Sequence, residues 1–123
     1  MASKVLFVVF AKNACRRIHA LRYALDLHQK GHVARIILEG RATCHIPEIA
    51  DPHSEFGRLL AQAASEGLVA GACRTASSRR CSDNDCRDVA SLTCSHSIKL
   101  LDDADGHASI EPFVRDGFQV IVF

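Results

Sequence analysis

Near its start the chain carries KVLFVVF, Lys4 to Phe10, a run of β-branched, aliphatic and aromatic side chains with no polar residue after Lys4. A strand with one wet face alternates apolar and polar residues. A run without alternation fits a strand covered on both faces, which is the position of a central strand in a parallel sheet. Such a strand needs helices above and below it. The next segment supplies one: Ala14, Ile18, Leu21, Leu25 and Leu27 or His28 recur close to the 3.6-residue helical period, with Asn13 as N-cap and Gly31 as the stop. VARIILE, from Val33, then reads as a second strand, so the first forty residues form a βαβ unit whose crossover should be right-handed.

The same alternation continues. Gly40 to Pro52 holds breakers and polar residues and reads as a connection, after which Phe56, Leu59, Leu60 and Ala63 resume helical spacing as far as Gly67. LVAGAC is a third strand. Arg74 to Asn84 is polar and basic, and Asp85 to Thr93 fits a short helix with Val89 and Leu92 inward. IKLL is a short fourth strand, DDADGH a turn, Ser109 to Asp116 a short helix closed by Gly117, and FQVIVF a fifth strand. The expectation is a single α/β domain, a three-layer sandwich on a mostly parallel sheet of about five strands. Strand order does not follow from the pattern.

A chain of 123 residues can bury a core without disulfide staples. With 48% apolar and 24% charged residues, and 15 Lys and Arg against 14 Asp and Glu, it reads as soluble, with no general pull on nucleic acid or anionic lipid. One Tyr, no Trp and scattered Phe offer no platform for stacked bases. The longest apolar run is far short of the roughly 20 residues of a membrane helix, and MASK precedes too short a stretch for a signal peptide. A cytoplasmic protein is therefore expected, with its six cysteines reduced.

Ligands of an open parallel sheet gather at the carboxyl ends of its strands. Three stretches meet that description, FAKNAC, EGRATCH and ACRTASSRRC, and each holds a cysteine. None carries the glycine pattern of a dinucleotide or triphosphate cradle, and no nucleophile elbow, helical HExxH or calcium loop is present. Cys73 is best placed for reactivity: it ends an apolar strand, Arg74 follows, and Arg79 and Arg80 lie close behind, cations able to stabilise a thiolate. A small buried hydrophobe is the competing reading of Cys73. Cys81, Cys86, Cys94 and His96 have the composition of a zinc site but lack a Cx2C knuckle, so zinc competes with thiol exchange by Cys81 or Cys86 and with unrelated loop cysteines. Cys15, beside Arg16 and Arg17, sits near a helix start; packing under the sheet is its commoner fate. Cys44 with His45 is a generic loop pair. Asp102, Asp103 and Asp105 before His107 could support acid or base work, although turn formation explains them more simply. His19, His28 and His32 read as helix-surface residues and a helix-end partner.

The opening strand and long helix, the segment GLVAGACRTA and the tail KLLDDADGHASIEPFVRDGFQVIVF together resemble the DsrE-like family of small sulfur-relay proteins. The resemblance covers most of the chain, weakly between Gly40 and Glu55 and between Ser77 and Thr93. It implies that Cys73 carries sulfane sulfur as a persulfide; the surrounding residues add Arg74 and nearby backbone amides as stabilisers of the thiolate and Cys81 or Cys86 as candidate exchange partners. It also implies sulfur donor and acceptor proteins as partners, no organic cofactor, and a homo-oligomer such as a trimer or hexamer. Where relatives often have a second cysteine three positions on, this chain has Ala76. The alternative is a non-catalytic oligomeric module holding a metal or small anion in its Cys- and His-rich loops.

Overall fold

The computed structural model describes residues 2–79 and 98–123. Five strands, β1 (Lys4–Val9), β2 (Val33–Leu38), β3 (Val69–Cys73), β4 (Leu100–Leu101) and β5 (Gln119–Val122), form one sheet in the order β4-β3-β2-β1-β5. Every pairing is parallel. The unalternating first strand thus lies inside the sheet, with β2 on one side and β5 on the other.

Successive residues of β1 serve opposite faces, as the pleat requires. Val5, Phe7 and Val9 face the larger core with Ala34, Ile36 and Leu38 of β2. Helix α1 (Ala14–Gln29) closes that core with Ala20, Leu21, Ala24 and Leu25, and α2 (Glu55–Ser65) with Phe56, Leu60 and Ala63. Leu6, Val8 and Ile37 face the opposite side, where Phe113, on the short helix α4 (Glu111–Arg115), and Phe118 pack edge to face. The result is an α/β sandwich of three layers. Among the described residues no helix is long and apolar enough to cross a membrane.

Caps follow the sequence closely. The Asn13 side chain accepts from the Arg16 amide at 3.2 Å, and α1 ends at Gly31, whose φ of +89° few other residues adopt. Ser54 caps α2 through the Gly57 amide at 2.9 Å. Gly40–Ala50, expected as an irregular connection, is instead a 3-10 helix. Ala42, Ile46 and Ile49 recur at three- and four-residue intervals, so a helical turn buries them together against the sheet and α2. Gly57 allows the two segments to meet, since a Cβ there would lie 1.8 Å from the Glu48 carbonyl oxygen. A further short helix, α3 (Arg74–Arg79), begins directly after β3. The helix expected over Asp85 to Thr93 lies outside the described residues.

Candidate functional site

The parallel arrangement brings the ends of β1, β2, β3 and β4 to one edge of the sheet. Cys73 is the last residue of β3 and pairs in register with Leu101 at the end of β4. Its side chain is fully buried. Immediately after β4, residues Asp102 to His107 make a tight turn: the Gly106 amide donates to the Asp102 carbonyl at 3.1 Å, and Ala104 and His107 exchange backbone hydrogen bonds at 2.9 and 3.1 Å. Asp105 and Gly106 both take positive φ, 55° and 86°, a conformation that Asp and Gly tolerate best. The turn is then tied to α3, because the Thr75 amide and hydroxyl both donate to the Gly106 carbonyl, at 3.1 and 2.6 Å.

This clamp sets His107 beside the thiol, with Nδ1 3.4 Å from Cys73 Sγ. From the other side comes Glu39, the residue after β2, whose amide donates to the Val9 carbonyl at 2.8 Å and whose carboxylate accepts from the Gly40 amide at 3.0 Å. One ligating atom from each of Glu39, Cys73 and His107 lies within 4.8 Å of the others. A cavity of about 330 Å³ bounded by Phe10, Glu39, Gly40, Ala76 and His107 adjoins the group. Glu39 is half-buried and His107 exposed, so the buried sulfur sits below two reachable polar groups.

The electrostatics differ from the sequence expectation. Burial pushes the Cys73 thiol above its ordinary range; the Ala76 amide, donating to Sγ at 3.5 Å, opposes this, while Glu39 adds to it by favouring the protonated sulfur. Arg74, expected to stabilise the thiolate, has its Nε donating to Asp102 Oδ2 at 3.0 Å in an exposed pair. Cys73, the last residue of β3, is buried, whereas Arg74 opens α3 with an exposed side chain.

His107, expected as a turn residue, is in the turn and also at the thiol. Glu39 is a member of the site that the sequence does not signal, since a single Glu after a strand carries no spacing pattern. Cys15 is exposed, against the expectation of packing under the sheet, with Sγ 3.5 Å from His19 Nδ1 one helical turn on. Cys44 is disulfide-bonded, which departs from the expected reduced thiols; among the described residues Cys15 and Cys73 are free. His45 pairs with Glu48 at 2.5 Å, His28 with Glu66 at 3.5 Å, and His32 accepts from the Ser3 amide at 2.9 Å. Cys81, Cys86, Cys94 and His96, the expected exchange or zinc residues, lie outside the described residues.

These features define an all-parallel α/β protein with a buried cysteine, a histidine and a glutamate converging at the carboxyl edge of its sheet. No family model, curated protein or solved structure matches the chain.

Proposed function

We propose that the chain is a sulfurtransferase-like sulfur carrier of the DsrE-like kind, holding sulfane sulfur as a persulfide on Cys73. The observation that carries this reading is the 3.4 Å approach of His107 Nδ1 to Cys73 Sγ beside a small cavity. A thiol raised by burial is protonated near neutral pH, so it needs a base to become a nucleophile. His107 takes that proton. The Cys73 thiolate then attacks the outer sulfur of a donor persulfide, R–S–SH; a new S–S bond forms to Cys73 as the donor S–S bond breaks, and R–S⁻ leaves and regains a proton. The exchange is redox-neutral. Delivery is its reverse, with an acceptor thiolate taking the outer sulfur and Cys73 leaving as thiolate, held by the Ala76 amide.

Burial supports the same reading, because a persulfide kept from bulk solvent is protected from stray thiols and oxidants. The partners are donor and acceptor proteins presenting persulfide or thiol, in the cytoplasm. Exposed Ile121 and Val122 on the edge strand β5 support association of copies of the chain into a homo-oligomer such as a trimer or hexamer.

The test is peptide mass spectrometry after a short iodoacetamide pulse, with and without prior incubation with a persulfide donor. A gain of about 32 Da on Cys73, lost on reduction and transferable to an added thiol, is expected for one sulfur atom. Sulfur uptake that is equal in Cys73→Ser would reject the assignment.

A further inference from the structure

We infer that Glu39, Cys73 and His107 form a three-ligand site for zinc, a use of the same edge of the sheet that does not depend on the sulfur-carrier reading. The three residues come from three separate places, the ends of β2 and β3 and the turn after β4, and converge on one point. A tetrahedral zinc with Zn–S of about 2.3 Å and Zn–N or Zn–O of about 2.0–2.1 Å sets neighbouring ligand atoms roughly 3.3–3.8 Å apart. The Sγ to Nδ1 separation of 3.4 Å already falls in that interval, and a Glu39 carboxylate oxygen lies within 4.8 Å of the ligand atoms of both.

The donor set selects the ion. Thiolate with imidazole disfavours magnesium and calcium, which take oxygen ligands, and suits zinc. One thiolate, one carboxylate and one neutral imidazole around Zn²⁺ sum to zero charge, which suits a partly buried place. Binding replaces the S–H bond of Cys73 by S–Zn and releases that proton to solvent. Three protein ligands leave a fourth position, which the adjoining cavity of about 330 Å³ can fill with water and which also gives the ion its way in. Supporting groups are in place around the ligands: the Ala76 amide on Sγ, the Gly40 amide on Glu39, and the Thr75 clamp that fixes the turn bearing His107.

Zinc on Cys73 and sulfur on Cys73 exclude each other, so zinc would hold the thiol in reserve. The experiment uses the full chain stripped with a chelator, titrated with zinc sulfate by calorimetry and with cobalt(II) by absorbance. One ion per chain is expected, with about one proton released and a near-ultraviolet thiolate-to-cobalt band that Cys73→Ser abolishes. His107→Ala and Glu39→Gln should each weaken zinc at least about tenfold, and the near-isosteric Glu39→Gln, with circular dichroism unchanged, covers the case in which the others misfold. Zinc uptake and a cobalt band unaltered in all three variants, or no uptake by the parent chain, would overturn the inference. Persulfide loading is measured on the zinc-free chain. Failure to load sulfur with zinc binding intact therefore rejects the carrier reading alone, and the converse result rejects the metal site alone.

Discussion

His107 Nδ1 stands 3.4 Å from Cys73 Sγ, although 34 residues separate them in the chain. The contact exists because β4 pairs parallel to β3 in register, so that whatever follows Leu101 is delivered to the end of β3. If the imidazole removes the thiol proton, its loss should slow Cys73 chemistry without unfolding the sheet. His107→Ala is expected to lower the iodoacetamide rate at Cys73 by about tenfold or more near neutral pH, and the deficit should close as pH rises and the thiol ionises unaided. A rate equal to that of the parent chain across the whole range would remove His107 from the mechanism.

Glu39 acts in the opposite sense. Burial pushes the Cys73 thiol up and Glu39 adds to it, so Glu39→Gln should shift the pH midpoint of Cys73 alkylation downward. The linkage has a definite sign. With the folded thiol raised above its model value of 9.0, the unfolded chain gives up its proton first, and the stability present below that pH is lost as pH rises through the folded value. Denaturant midpoints measured from neutral to alkaline pH should fall less steeply in Glu39→Gln than in the parent. An upward shift of the alkylation midpoint would contradict the arrangement.

Gly106 links backbone conformation to the same chemistry. Its φ is +86°, and a Cβ there would stand 2.9 Å from the Thr75 hydroxyl that holds its carbonyl. Gly106→Ala should cost about 1–2 kcal/mol in backbone strain and loosen the Thr75 clamp. Two readings then move together: the denaturant midpoint falls, and the alkylation rate of Cys73 drops toward that of His107→Ala. A stability loss with unchanged reactivity would show that the turn does not position the imidazole.

Much of this architecture was legible in the residues. The strand KVLFVVF announces a two-sided sheet because burial on both faces suppresses alternation, and Asn13 and Gly31 lie where caps must. The 3-10 helix over Gly40–Ala50 was obscured by Pro47 and by polar residues, although Ala42, Ile46 and Ile49 hold the spacing. Cys73 stands out in the sequence because it ends an apolar strand and is followed by a basic segment. Its partners do not, for different reasons. His107 was legible as a turn residue, but its approach to the thiol depends on the β3–β4 pairing, and a two-residue strand carries almost no pattern. Glu39 reaches the site only once β2 is known to neighbour β3. Arg74 is adjacent to Cys73 in sequence, but its pairing with Asp102 depends on the turn after β4 and is not legible from adjacency.

Glu48 ties the 3-10 helix to α1 and α2 and makes stability depend on acid. Burial raises its carboxyl, but the Ser54 hydroxyl donating at 2.7 Å and the His45 ring at 2.5 Å outweigh that, with Arg17 at 3.9 Å helping, and the carboxyl is held below 4.5. A carboxyl lowered by folding contributes stability that is present above its unfolded value and lost as pH falls through its folded one. Arg17, 3% exposed and stacked 4.9 Å over the Phe56 ring, faces no carboxylate among the described residues when Glu48 is neutral. Glu48→Gln should therefore lower Tm at neutral pH. The gap from the parent should narrow as pH falls below 4.5, because protonation does to the parent what the substitution does to the variant. Melting curves at neutral pH and at about pH 3 decide it: a gap of the same size at both would mean that Glu48 acts by shape and hydrogen bonding rather than by charge.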